Sequence, residues 1–320
     1  MSLRPRFSAD YRTIAWVLTM PLVVAAAYAR PDLLPWLSPV SFYLALAAGV
    51  IAHNHNHCPT FANKRVNGVF ANTLSVFYGY PTFAWIPTHN LNHHKLVNRE
   101  GDATITWRYT NRNDALVATT YFFVSSYWQS DPIKAYLRKA RASNPRLFRQ
   151  IVTQYVVWAG SQFGMLGVAW ALHGARRGTV VWLFSMGLPA FFSLWTIMLF
   201  NYFQHVHCDP WSAHDHSRNF TSKLTNFLLF NNGLHTAHHE SAGAHWSTLP
   251  ALHAKLERDI SPSLNLRSFW GYVVRQYLLA PLFPSLGTRQ IGRAPFDPPP
   301  GGAPPLADVD DHGAIEALAL

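Results

Sequence analysis

The chain has few charged side chains. Aspartate, glutamate, lysine and arginine make up 13% of its 320 residues, about half the share that is usual in soluble domains. Five stretches contain none at all, at 13–29, 33–52, 66–88, 150–172 and 178–204. A helix that spans a bilayer needs roughly 20 apolar residues. Four of these stretches are long enough, and 13–29 is at the short end. The alternative, a soluble helical protein with buried core helices, is less favoured because few charged residues remain to coat its surface.

The sequence is also poor in cysteine. Only Cys58 and Cys208 are present, which argues against a disulfide framework. Each directly follows a histidine, and both are expected to be small buried thiols rather than ligands. The first apolar stretch lacks a small-residue cleavage site and leads through Arg30-Pro31-Asp32 into the second. We therefore interpret it as a membrane helix and not as a cleavable signal peptide.

Acidic residues are scarce as well, and the formal net charge is +10. Nucleic acid could explain such a charge, but the basic residues are not interleaved with aromatics in a groove-like pattern. Instead they flank apolar stretches, at Arg4, Arg6, Arg12 and in the run from Lys134 to Arg149. This pattern is typical of cytosolic flanks of membrane helices and of contact with anionic lipids. We expect membrane lipids as partners, and no nucleic acid.

These patterns predict an all-α integral membrane protein with about four transmembrane helices. The stretch 66–88 begins and ends beside histidine clusters that should share one site, so it is predicted to be re-entrant or interfacial rather than a crossing. A histidine-rich cap is expected on the cytosolic side, and the loop from His173 to Gly178 on the other. Arg176 and Arg177 in that loop count against this orientation. The predicted membrane domain covers 1–285, and the Pro- and Gly-rich tail 286–320 is predicted to be disordered.

Histidine, unlike the charged residues, is abundant. Fourteen of the 17 histidines fall in two windows of the sequence, and most lie in short clusters. The candidate metal ligands are His53, His57, His89, His93, His94, His205, His235, His238 and His239. On a helix, residues three or four apart share a face, so His53 and His57, or His89 and His93, can point at one spot.

Three of the clusters supply about seven to eight nitrogen donors, more than one tetrahedral zinc ion can use, so two metal ions fit better. Imidazole suits zinc, copper, iron and nickel, and the ligand type alone does not identify the metal. A membrane hydrolase or isomerase that uses zinc-activated water, and a metal transporter or metal-binding protein, remain alternatives. A transporter should place histidines within its spanning helices, whereas these clusters lie just beyond helix ends.

The remaining histidines are expected to have other roles. His55 should point away from its neighbours, to the surface or to a position behind the ligands. His214, His216 and His245 are expected behind the ligands. The other three, His173, His253 and His312, are expected to be exposed or structural.

The histidine pattern resembles the membrane fatty-acid desaturase/hydroxylase superfamily. The similarity rests on HxxxH at His53–His57, HxxxHH at His89–His94 and HxxHH at His235–His239, and extends over about 33–258. It implies two iron ions bound at the cytosolic membrane face and O2 that attacks an unactivated C–H bond. Asn201 and His205 match a further Asn-xxx-His arrangement found in some members.

Helical spacing turns His207 away from the face that carries Asn201 and His205. We therefore predict His205 as the ligand. Asn201, His207 and Asp209 are expected behind the ligands, where His207 and Asp209 could orient one of them.

Departures from the family patterns reduce the number of branches of the family that the chain resembles, but they do not identify the reaction. The third cluster starts with His235 rather than Gln, and the sequence has neither a His-Pro-Gly-Gly motif nor a Cys-x-x-Cys pair. The residues around Gln204 and Asn231 resemble the corresponding segments of bacterial relatives that include carotenoid ketolases. We expect a bacterial inner-membrane enzyme that acts on a long apolar substrate, with fatty-acid desaturation favoured over hydroxylation or ketolation. Because the inferred cytosolic face is basic, an acidic, ferredoxin-type protein is the expected external electron donor.

Overall fold

The computed structural model describes residues 4–301 and is mostly helical. Its α-helices are α1 (Asp10–Ala29), α2 (Leu34–His57), α3 (Lys64–Tyr78), α4 (His94–Leu96), α5 (Ala115–Ser143), α6 (Pro145–Trp182), α7 (Leu188–His205), α8 (Lys223–Leu228), α9 (His235–Glu240), α10 (Leu249–Leu256) and α11 (Phe269–Val273). Three further segments, Ile86–His93, Leu183–Gly187 and Val274–Leu279, are π-helical. Two short strands, β1 (Asn219–Phe220) and β2 (Asn265–Leu266), pair in parallel. The expected all-α membrane fold is confirmed.

Three helical stretches in the described residues are long and apolar enough to cross a membrane: Asp10–Ala29, Pro31–His57 and Pro145–His205. The stretch 66–88 forms no such helix. Its helix α3 has 15 residues, or about 22 Å, which is shorter than the roughly 30 Å hydrocarbon core of a bilayer. It ends at Gly79, whose φ of 96° is left-handed and therefore favours glycine.

The longest of the three stretches turns back on itself. Gly174 has φ 73° and ψ 163°, which are not helical values. A methyl group on Gly178 would lie 2.4 Å from the carbonyl oxygen of Ala169, although residues nine apart on a straight helix are roughly 13 Å apart. The chain therefore reverses at Gly174, within the loop predicted from sequence. Four crossings remain a prediction.

The chain divides into two compact units. In the described residues the first comprises 4–86 and 135–197. Its helices begin at recognisable signals: Asn63 caps α3 by accepting hydrogen bonds from two backbone N–H groups, and Asn144 caps α6. The apolar core of this unit includes Val24, Tyr28, Val76, Ala169, Val181 and Met186.

The second unit comprises 87–134 and 198–301 of the described residues. One buried cluster of this unit is mainly aromatic, with edge-to-face and tilted ring contacts that are favourable beyond the area they bury. The members are Ala118, Tyr121, Phe200, Tyr202, Phe203, Val206, Phe220 and Tyr272. This core holds the end of α7, where His205 lies.

Residues 286–301, the described part of the predicted tail, make long-range polar contacts. Thr288 contacts Asn113, the backbone N–H of Ile291 donates to His207 O, and that of Arg293 donates to Asp209 Oδ2. These polar contacts order residues that composition alone describes as unable to pack. Residues 302–320, including His312, lie outside the described residues.

Candidate metal centre

The second histidine cluster begins on a π-helix, Ile86–His93, rather than on an α-helix. A π-helix pairs residues five apart, so His89 lies against His94, and their Nε2 atoms are 3.0 Å apart. His93 turns into a different group of ligand atoms. The structure differs here from the predicted pairing of His89 with His93, because that prediction assumed α-helical winding.

Four histidines of the second unit bring their ligand nitrogens within 4.8 Å of one another. This group, the His205 set, consists of His93, His205, His235 and His239. His205 Nε2 lies 3.1 Å from His93 Nε2 and 2.9 Å from His235 Nε2, which in turn lies 3.1 Å from His239 Nε2. Two nitrogens that bind one metal at about 2.1 Å and about 90° apart would show a similar separation of about 3 Å.

The hydrogen bonds of two members fix where their protons lie. His205 Nδ1 faces a carbonyl oxygen, that of His216, at 3.1 Å, and His93 Nδ1 faces Asp102 Oδ2 at 2.8 Å. Both acceptors lack a proton, so each Nδ1 is the donor, and the Nε2 of a neutral ring then carries a lone pair. Two neutral rings in this position would face each other with their Nε2 lone pairs and without a shared proton.

A bound cation would remove the repulsion between lone pairs that face each other in this way. A single proton can be shared by only one pair of nitrogens, but the His205 set has four nitrogens in a row of short contacts. All four side chains are buried, with at most 7% exposure. Burial, followed by the neighbouring histidines, lowers the pKa of His239 well below its ordinary value, so this ring is neutral. Neutral buried imidazoles whose lone pairs converge are the donor set that a transition metal requires.

Three more histidines of the same unit form a second group, the His94 set, of His89, His94 and His238. His94 Nε2 lies 3.0 Å from the Nε2 atoms of both His89 and His238. A single N–H can point to only one of these two nitrogens, so the remaining contact again calls for a cation. The two sets adjoin, because the ring centroids of His94 and His239 are 4.4 Å apart.

The first unit contains a further histidine pair of its own, on the last turns of α2. The ring centroids of His53 and His57 are 4.9 Å apart, and both side chains are buried. They share a helix face, as their spacing of four residues predicted. The ring of His53 also packs on that of Trp85, at 5.1 Å between centroids.

A family model described as fatty acid desaturase matches residues 31–272, which is most of the chain. The chain belongs to the fatty acid desaturase family. The resemblance inferred from the histidine motifs is thereby confirmed. Comparisons with curated proteins and with solved structures gave no match. The matched range contains every histidine of both sets and the α2 pair, which agrees with a family whose members are typically metal-dependent.

Asp102 contacts a candidate metal ligand, and sequence reasoning missed it. Its Oδ2 accepts hydrogen bonds from His93 Nδ1 and from the Asn98 backbone N–H, both at 2.8 Å. Its Oδ1 accepts from the backbone N–H and the hydroxyl of Thr104, both at 2.7 Å. Burial alone would raise the pKa of Asp102, but His93 and Thr104 outweigh it and lower this pKa to about 2. Its position eight residues after His94, in a chain short of acids, was the available signal.

Arg218 is a second residue that the sequence did not reveal. It is 1% exposed, its guanidinium donates to the carbonyl oxygens of Phe203 and Val206, and its backbone N–H donates to Gln204 O. The guanidinium also lies 5.1 Å from the ring centroid of Tyr272. Arg218 thus satisfies carbonyl groups at the end of α7, where helices leave them unpaired.

We expect Arg218→Ala to destabilise the protein by about 3 kcal/mol, because two charge-assisted hydrogen bonds disappear and buried carbonyl groups lose their partner. Thermal unfolding in detergent would measure the loss, and metal analysis should show reduced binding. The matched control is Arg112→Ala. Arg112 is exposed and pairs with Asp114, and such surface pairs contribute about 0–1 kcal/mol. Equal melting temperatures for the two variants would contradict this role.

The three residues expected behind the ligands contact other groups in the structure. Asn201 donates to Tyr121 Oη at 3.0 Å, so it reaches His93 only indirectly, through Tyr121 and Thr104. His207 has a left-handed φ of 61° that turns its ring to Asn111 O and Thr288 Oγ1. Asp209 accepts from the backbone N–H groups of Trp211 and Arg293. None of these side-chain hydrogen bonds reaches a candidate ligand histidine directly.

Other histidines differ in part from expectation. His55 is buried rather than at the surface, and its Nδ1 bonds the Thr60 hydroxyl. His173 bonds Tyr28 O, as a structural residue would. His216 supports His205 through its backbone carbonyl and lies 3.5 Å from Glu240. His245 caps a short 3-10 helix.

Proposed function

We propose that this protein is a membrane-bound oxidoreductase that uses two iron ions and O2 to oxidise an unactivated C–H bond in a long, apolar, acyl lipid-like substrate. Fatty-acid desaturation is the favoured reaction, and hydroxylation or ketolation at the same site is the alternative outcome. The observation that supports it is the pair of adjoining, buried histidine sets whose ring nitrogens converge, in a chain of the desaturase family.

The His205 set would hold one iron ion, and the His94 set would hold the other. When bound, the iron would supply the redox chemistry that activates O2. Desaturation balances when one O2, two electrons and two protons join the two hydrogens removed from the substrate, forming two water molecules and a double bond. The electrons must come from outside, and we propose an acidic, ferredoxin-type donor.

The side chains of the protein would prepare the site. The carboxylate of Asp102 and the carbonyl of His216 hold Nδ1 protons, so the Nε2 lone pairs of His93 and His205 face the site. Burial of the histidines in both sets excludes bulk water, which would otherwise compete with an apolar substrate.

Metal and oxygen measurements test the proposal. Purified protein should contain about two iron ions per chain, and turnover with a ferredoxin/reductase system should consume O2 in step with an unsaturated, hydroxylated or keto product. Chelation should abolish turnover, and ferrous iron should restore it. One zinc ion per chain together with undiminished anaerobic turnover would falsify the oxidative function and favour a hydrolase.

We further propose that the protein lies in the bacterial inner membrane with its metal centre on the cytosolic side. Ala175, beside the Gly174 reversal, and Ala254 on α10 are both exposed and suit single-cysteine labelling in a background that lacks Cys58. A membrane-impermeant maleimide added to spheroplasts should label Ala175→Cys, and label Ala254→Cys only after lysis. Labelling of both positions before lysis would contradict this orientation.

A further inference from the structure

One helical segment of the second unit, α11 and the π-helix after it, exposes a row of large apolar side chains. The exposed fractions are 71% for Trp270, 44% for Val274, 64% for Leu278 and 73% for Leu282. A spacing of four residues places the first three on one side of the helical segment. We call this row the 270–282 face. Soluble surfaces seldom display so continuous an apolar row without a partner.

The opposite side of the segment is firmly packed, so the exposure does not come from a loose end. The ring of Phe269 lies 5.3 Å from that of Phe200, and Tyr272 is buried in the aromatic core. Gln276 donates to Asn113 O at 2.7 Å, and the hydroxyl of Tyr277 donates to Asn113 Oδ1 at 2.6 Å. These contacts fix which side of the segment faces outward.

The charges around the face indicate what covers it. Residues 260–296 contain four arginines and no acidic residue. Arg267 and Arg275 are exposed beside the apolar row. A second copy of the chain bound through this face would bring like charges together, which is unfavourable. Anionic lipid headgroups complement the arginines, while acyl chains complement the apolar row and Trp270 suits the interface between them.

We propose that the 270–282 face inserts into the headgroup–acyl boundary of an anionic membrane leaflet. It forms an interfacial contact in addition to the spanning helices. Such helices bury their apolar side roughly 5–10 Å below the headgroups. Because the second unit also carries the His205 and His94 sets, this contact would hold those sets at a bilayer that contains the apolar substrate. That last consequence, unlike the insertion itself, rests on the proposed function.

Spin labelling of the full chain in phosphatidylglycerol/phosphatidylcholine vesicles tests the insertion directly. The label goes on Leu278→Cys in a Cys58→Ser background, and the matched control is Ser263→Cys, which is exposed on the short turn before β2. A label at 278 should collide with dissolved O2 at least about five times more effectively, relative to a water-soluble nickel chelate, than the label at 263. Equal nickel accessibility at both positions would overturn the proposal, as would a label at 278 that neither reagent reaches.

Two further variants separate this inference from the proposed reaction. Leu278→Asp should shift the depth profile towards water and raise KM for a bilayer-resident substrate about tenfold, with metal content and kcat unchanged. Arg267→Gln should weaken the dependence of KM on phosphatidylglycerol. If the chain does not oxidise lipids at all, the depth measurement still decides whether the face inserts. If 278 is inserted but Leu278→Asp leaves KM unchanged, the link to substrate access is wrong.

Discussion

His205→Ala is expected to lose most of its bound metal and more than about 100-fold in activity, because it deletes the central member of a converging donor set. Its Nε2 lies within 3.1 Å of the Nε2 atoms of both His93 and His235. Loss of a single partner behind a ligand already costs about 10–100-fold in metal affinity or activity, and loss of a ligand itself should cost more.

His207→Ala is the matched control, two residues further along the chain. Its ring bonds the Asn111 carbonyl and Thr288, away from both sets, so this variant should keep most of its metal even if it melts at a lower temperature. Mass spectrometry of metal content, with size-exclusion profiles to verify folding, makes the comparison. Greater loss of metal in His207→Ala would reverse the assignment.

Asp102→Asn is expected to weaken metal binding about 10–100-fold, although it changes one atom. The carboxylate accepts four hydrogen bonds, and an amide cannot accept them all, because its NH2 group would face donors. In this variant, His93 Nδ1 can instead accept a hydrogen bond from the NH2 group of the new amide. The ring proton then moves to Nε2 and occupies the lone pair that faces the His205 set.

Chelator competition would measure the affinity of Asp102→Asn, with Asp131→Asn as the control. Asp131 is exposed and lies 3.8 Å from Lys134, so its variant should bind metal like the unaltered protein. A spectroscopic change at the bound metal should accompany the loss, since the ligand itself is altered. Unchanged affinity in Asp102→Asn would show that His93 is oriented by packing alone.

The sequence was sufficient to predict features that depend on side-chain polarity. It was not sufficient for features that depend on backbone geometry. Charge-free stretches located α1, α2, α6 and α7, because a membrane helix must be apolar along its length. Helical spacing also located the α2 pair correctly. It paired His89 with His93 rather than with His94, because periodicity cannot show whether a turn holds 3.6 residues or the larger number of a π-helix.

Long-range polar contacts were the second kind of failure. Nothing near Arg218 in the sequence indicates that it meets the end of α7, and its bonds to Phe203 and Val206 form only in the folded chain. Residues 286–301 were predicted to be disordered because the tail has little apolar material. It is held instead by hydrogen bonds such as the one from Ile291 to His207, which composition does not report.

The change of winding at the end of the π-helix has a consequence for assembly. His93 and His94 are neighbours in the chain, yet they belong to different sets. A single peptide unit joins them, so the backbone angles that aim one ring also constrain the other. The conformational entropy lost when one metal orders this peptide is not lost again when the second arrives. If both sets bind metal ions as proposed, binding of the first ion would therefore favour binding of the second.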